Sequence, residues 1–274
     1  MPLQVTPASA PFPGASPQTF TNAPALLGLP GTAGVPDLIR GAARRLETYS
    51  PDLGLDLEDA TFTDYGNLSL DAGGIAENAR LVGDACRAMI NSGSIPVFFA
   101  RDGRYTASAI RATADRHPEL TVLQLGARLN LLDEYEGESW HARTSMQRAL
   151  DRIPIDRLKH LGVRCGKKEE FEKMEEGSTL VTPADLPDLG KNGIYLSLHL
   201  TLFDPYTLPG VAHPEPGGFN WENFSKVLAQ IPWDRVKACD LVGLEPSGDH
   251  TGLSTLVAAK TAREIILSLS SVNG

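Results

Sequence analysis

Few side chains in this sequence have types and spacing that could do chemistry. His141 sits in Trp140-His141-Ala142-Arg143, and His199 in Ser197-Leu198-His199-Leu200-Thr201. Carboxylates that could accompany them are Asp102, Asp204 and Glu245. A hydrolytic or metal site could be built from the two imidazoles with Glu245 or Asp204. Two histidines on separate segments are nevertheless a weak metal signal when no third partner stands at a readable spacing. Ser247-Gly248-Asp249-His250 groups a carboxylate with an imidazole, but it reads as a turn and helix entry with Thr251 or Ser254 as N-cap. No Gly-x-Ser-x-Gly elbow, P-loop or Gly-x-Gly-x-x-Gly after a strand occurs, so catalytic triads and nucleotide sites have no support. Cys86, Cys165 and Cys239 are far apart and odd in number, which reads as buried thiols rather than disulfides.

The elements that must carry these residues alternate. Ala25–Leu29, Pro96–Ala100, Thr121–Leu125, Gly193–Leu200 and Val236–Leu244 are short apolar runs and read as strands. Between them lie helical patterns. Ile75, Ala79, Val82, Cys86 and Met89 recur at helical spacing up to Gly93, and further helices are read at Thr106–His117, Trp221–Ile231 and Thr251–Ser270. Such alternation predicts an α/β fold with a parallel sheet covered on both faces. Ligands in these sheets bind at the carboxyl ends of the strands. Residues 1–24 hold no charged residue and six prolines, so they are expected to be a tail, or an arm on a neighbouring subunit, ahead of one domain over 25–274. The charge run from Lys167 to Glu176 reads as a solvated helix face. With a net charge of -9 the chain is not expected to bind nucleic acid or anionic membrane. No apolar run approaches the roughly 20 residues of a membrane span, and the N-terminus lacks a basic and apolar leader, so a cytoplasmic location is expected.

The segment after Gly193–Leu200 reads Ser197-Leu198-His199-Leu200-Thr201-Leu202-Phe203-Asp204-Pro205-Tyr206, then Pro209-Gly210, then Pro214-Glu215-Pro216-Gly217-Gly218. It resembles the ureohydrolase (arginase/agmatinase) signature Ser-Leu-Asp-Ile-Asp-x-x-Asp-Pro-x-x-x-Pro-Gly…Pro-Glu-Pro-Gly-Gly. Gly28-Leu29-Pro30, Pro36–Arg40, Asp64-Tyr65-Gly66-Asn67 and Asp240–Pro246 resemble other family segments in the same order. The resemblance spans roughly residues 25–270 and implies a three-layer α/β/α sandwich with a mainly parallel central sheet.

Active members of that family hydrolyse guanidino or amidino compounds with two bridged divalent ions, usually manganese and sometimes nickel. Their ligands lie in Gly-Gly-Asp-His-Ser, Asp-Ala-His-x-Asp and Asp-x-Asp. Here the first motif is matched by Ala100-Arg101-Asp102-Gly103-Arg104, the second by Gly126-Ala127-Arg128-Leu129-Asn130 and the third by His199-Leu200-Thr201. The resemblance therefore implies degenerate ligand positions at Gly103, Gly126, Arg128, Asn130, His199 and Thr201, with no metal held by this chain. The substrate-contacting glutamate of the family corresponds to Gly243. Asp102, His141, Asp204, Gly243 and Glu245 are expected to line the residual cleft, with His141 as a leftover hydrogen-bonded imidazole. Arg128 is expected to pair with Asp102, Asp204 or Glu245, because a buried unpaired guanidinium is costly. The implied function is a catalytically silent subunit in a trimeric or hexameric assembly. Its partner would be a homologous, manganese- or nickel-bearing ureohydrolase acting on guanidino or biguanide C–N bonds, as in heteromeric metformin hydrolase. Alternatives are a metabolite-binding module in the former cleft and an enzyme with a rebuilt site.

Overall fold

A computed structural model describes residues 3–31, 33–70 and 74–272. In chain order its elements are β1 (Val5–Thr6), β2 (Pro24–Leu29), α1 (Val35–Ala43), β3 (Tyr49–Ser50), β4 (Leu55–Asp56), β5 (Thr63–Leu68), α2 (Ile75–Asn91), β6 (Ile95–Ala100), α3 (Thr106–Arg116) and β7 (Thr121–Leu125). They continue with α4 (Ser145–Ala149), β8 (Leu158–Leu161), α5 (Lys168–Glu176), β9 (Ile194–His199), α6 (Trp221–Leu228), β10 (Val236–Val242) and α7 (Leu253–Ser271). Eight strands form one sheet in the order β1-β5-β2-β6-β10-β9-β7-β8, while β3 and β4 form a separate hairpin. All pairings in the large sheet are parallel except β1 with β5.

β2 and β6 are buried along their whole length, as parallel strands covered on both faces must be. Their alternate side chains feed two cores. Leu26, Val97 and Phe99 face α1 and α7, whereas Leu27, Phe98 and Ala100 face α2 and α3. The expected three-layer arrangement, a mostly parallel sheet with helices on either side, is what the chain adopts.

Residues 3–24, expected as a tail or as an arm on a neighbouring subunit, also make ordered contacts within this chain. Their backbone joins the sheet edge through β1, and Phe12 is 1% exposed, packed against Phe62 and Phe99. The Phe12 N–H donates to Asp64 Oδ2 at 2.8 Å. Asp64 in turn accepts from the fully buried Arg40 guanidinium through both oxygens, at 2.8 Å each. Arg40 also donates to Asn67 Oδ1 and Gly66 O. Two of the matched segments, Pro36–Arg40 and Asp64–Asn67, are thus locked together by one satisfied guanidinium.

Two expectations change. The charge run on α5 is not solvated throughout, since Glu170 is buried and accepts the backbone N–H groups of Leu131 and Lys167 at 2.9 Å each. The first turn of α7 is held chiefly by Asp249, which accepts from Ser254 N and Thr255 N at 3.0 and 2.7 Å. Thr251 accepts only the longer bond from Leu253 N, and Ser254 Oγ serves the Gly210 N–H instead.

Candidate functional site

The adjacency of β6, β10, β9 and β7 places four loop starts side by side at the carboxyl edge of the sheet. Val242 pairs with Ala100 on one side and His199 on the other, and Leu125 pairs with Leu198. Arg101–Arg104, Gly126–Asn130, His199–Thr201 and Gly243–Glu245 therefore emerge together, although they are far apart in sequence.

His199 is the centre of the arrangement. Its Nδ1 accepts the Thr201 N–H at 3.2 Å and lies 2.8 Å from Thr201 Oγ1. That leaves the ring proton on Nε2 in the neutral imidazole. Burial holds the His199 pKa down to about 4, against the opposing pull of the nearby Asp102 charge and with help from Arg128. Gly126 and Gly243 flank it: a Cβ on Gly126 would sit 3.1 Å from His199 Cβ, and one on Gly243 would sit 2.5 Å from His199 Cε1. Gly243 has φ +105°, a conformation that side chains with a Cβ rarely adopt. The imidazole occupies the space that any side chain at 243 would need.

The remaining candidates are used locally. Asp102 accepts Arg104 N and Nε at 3.0 and 3.1 Å, closing a turn after β6. Gly103 lies buried beside Thr106, Val242 and Ser145. Asn130 takes φ +58°, and its carbonyl accepts from Met146 N and Gln147 N. His141 caps a short 3-10 turn by accepting Arg143 N at 3.1 Å, and it stacks on Tyr135 at 4.6 Å between centroids. Its pKa is lowered, mainly by burial. The imidazole is hydrogen-bonded within its own turn.

Asp204 accepts three backbone N–H groups, from Tyr206, Gly217 and Gly218, and its pKa is lowered by them. It closes the signature loop rather than entering the cleft. Arg164 cross-braces the same loop by donating to the carbonyls of Thr201, Phe203 and Glu215 at 2.7, 3.2 and 2.7 Å. Neither Arg164 nor Glu170 was singled out from sequence as a loop-holding residue, and neither carries a local sequence signal for that role. Glu245 bonds the Arg101 guanidinium through Oε2 and the Ser247 hydroxyl through Oε1, which bridges the ends of β6 and β10.

Arg128 departs from expectation. It does not reach Asp102, Asp204 or Glu245. Its nearest carboxylate is Glu215, at 3.8 Å, and Nη2 lies 3.5 Å from His213 O. The reason is geometric: Asp204 and Glu245 already serve the signature loop and Arg101, whereas Glu215 is held over this end of the cleft by the bonds from Arg164. The rebuilt site from His141, His199 and Glu245 or Asp204 is not assembled either. Among the described residues no three His, Cys, Asp or Glu side chains come together as a metal-binding group.

Comparison with known proteins agrees with this architecture. The sequence pattern of the Arginase family matches residues 24–268. Agmatinase of Bacillus subtilis (strain 168) is 27% identical over 248 residues, covering 87% of this chain and 86% of its own length. The mitochondrial guanidino acid hydrolase of Rattus norvegicus is 25% identical over 294 residues, covering 99% and 82%. The agmatine ureohydrolase structure from Thermoplasma volcanium superimposes with a TM-score of 0.82 at 22% identity, covering 94% of each chain, and at that identity it speaks for the fold alone. This chain belongs to the arginase family.

Proposed function

We infer that this chain is a catalytically silent member of the arginase family that works as a subunit beside a metal-bearing homologue. The observation that carries the reading is the chemistry at the positions matching the family's ligands. Two bridged dications need several anionic donors. Gly103 and Gly126 offer no side-chain donor, Asn130 and Thr201 offer neutral ones, and Arg128 brings a permanent cation. His199 is the one good ligand type left, and its Nδ1 is taken by Thr201. The residues present do not fit a two-metal centre. The Arg101–Glu245 bridge ties up a further carboxylate.

The scaffold tells the complementary half. Asp204, Arg164 and the Arg40–Asp64 pair keep the family's loops in shape, so the surfaces by which such chains assemble can outlast the metals. The names of the relatives, agmatinase and guanidino acid hydrolase, support a guanidino-type C–N bond as the substrate class of the complex. The active partner would carry the manganese or nickel, in a trimer or hexamer located in the cytoplasm. No helix among the described residues is long and apolar enough to cross a membrane.

The test is purification from the native host, with elemental analysis and turnover assays of the isolated chain and of whatever co-purifies. The isolated chain should hold no stoichiometric manganese or nickel after dialysis and should hydrolyse no guanidino compound, whereas the complex should do both. Finding about two metals per isolated chain, the number the family's chemistry requires, would overturn the reading. Within the complex, His199→Ala should leave turnover within a few-fold, and removal of the partner's metal ligands should abolish it.

A further inference from the structure

The cleft has reversed its electrostatic character at the end formed by β7 and β9, and the reversal is incompletely balanced inside the chain. Arg128 is 18% exposed, yet its Nε–H is cut off from solvent without a hydrogen-bond partner. Its Nη2 contacts at 3.5 and 3.8 Å are longer than good hydrogen bonds to charged groups, which run near 2.7–2.9 Å. Arg164, close enough for the two cations to repel, spends its donors on backbone carbonyls. The neighbours that could counter the charge are engaged elsewhere: Asp102 with Arg104, Asp204 with three amides, Glu245 with Arg101. The flanking Gly126 and Thr201 offer no charge.

An orphaned guanidinium donor of this kind costs free energy until a ligand satisfies it. The guanidinium fork matches an oxyanion that presents two oxygens to one edge. We propose that Arg128, with the Gly126–Asn130 and His199–Thr201 segments around it, forms a binding site for a small oxyanion, a carboxylate or a phosphate. Occupation requires the guanidinium to turn its Nε/Nη2 edge from Glu215 toward the ligand. A cationic guanidino compound, the class after which the relatives are named, is repelled from the same place. The site needs no partner subunit, so it stands or falls separately from the assembly described above.

The experiment is calorimetric titration of the purified chain at constant ionic strength with sodium phosphate, sodium succinate, sodium chloride and an alkylguanidinium salt. Saturable binding of phosphate or succinate is expected, with none for chloride or the alkylguanidinium. Whichever of the first two binds identifies the source of the oxyanion. Arg128→Gln should weaken that binding by roughly 10- to 100-fold, the worth of a hydrogen bond to a charged group. Arg128→Lys, which keeps the charge but loses the fork, should weaken it as well and guards against a failure of the glutamine variant to fold. Lys168→Gln, on an exposed side chain of α5, should leave it unchanged. The proposal is overturned if neither oxyanion binds saturably at millimolar concentration, or if the Arg128 variants bind as the parent does.

Discussion

A side chain introduced at position 243 should strongly destabilise the chain. Gly243→Ala is the smallest version of that change. Its backbone sits at φ +105°, so any Cβ there is strained, at about 1–3 kcal/mol for a residue held in a sparsely populated region. The new methyl would also lie 2.5 Å from His199 Cε1 and 2.6 Å from Nδ1, inside van der Waals contact. The ring cannot retreat freely, because Thr201 holds Nδ1 with a backbone and a hydroxyl contact. Overpacking of this kind costs about 1–3 kcal/mol. The two effects together predict a loss of about 2–6 kcal/mol, a large part of the usual 5–15 kcal/mol. Urea unfolding of the parent, Gly243→Ala, His199→Ala and the double variant separates them. Removing the ring relieves the contact but not the backbone strain, so the double variant should be more stable than the sum of the single losses by about 1–3 kcal/mol. A loss below about 1 kcal/mol in Gly243→Ala would refute the strained backbone. Additivity of the two changes would refute the imidazole as occupant of that space.

Two further outcomes are expected. Phe12→Ala should cost about 3–5 kcal/mol in denaturant unfolding, because Phe12 is buried between Phe62 and Phe99; a loss under about 1 kcal/mol would mean that the N-terminal segment does not pack on its own domain. The stability advantage of the parent over His160→Asn should shrink as pH falls. His160 is fully buried with its pKa held down to about 4, while the unfolded chain takes up a proton near 6.5. Its contribution is complete above pH 6.5 and is lost progressively toward pH 4, by about 2 kcal/mol between pH 7 and 5. Comparison with the variant is needed because Asp240, raised to about 6 by burial, acts in the opposite direction over part of that range.

The strands that carry the cleft were legible because parallel strands buried on both faces are continuous apolar runs, as Ile95–Ala100 and Ile194–His199 show. β5 was not, since its Thr63, Asp64 and Asn67 look like loop residues until Arg40, 24 positions from Asp64, supplies their partner. β1 escaped for a similar reason: a proline-rich stretch has no period, and its place is fixed by pairing with β5 and by the docking of Phe12. Within the site, the loops that converge could be read only through the family resemblance, because chain order does not fix sheet order: β10 lies between β6 and β9. The partner of Arg128 could not. A long side chain chooses among carboxylates by three-dimensional reach, and the choice fell to Glu215 because other groups had already claimed Asp102, Asp204 and Glu245.

The proposed loss of the metal centre from a retained scaffold has an energetic rationale. Asp204 satisfies three loop amides and Arg40 is fully buried against Asp64, so removing either leaves stranded polar groups; for a buried pair the loss is about 3–5 kcal/mol. A cluster of carboxylates that has lost its cations is the reverse case, since like charges crowded at one strand edge repel and their removal stabilises the fold. On the reading proposed above, selection for stability alone retains the loop-holding residues and favours glycine, asparagine or threonine at the positions that match the family's ligands. It does not account for Arg128. A guanidinium with an unsatisfied Nε–H is a cost in the same ledger, and a neutral residue at 128 would have avoided it. On the proposed reading, position 128 separates passive loss of a metal centre from a cleft put to another use, and binding measurements on Arg128 variants decide between them.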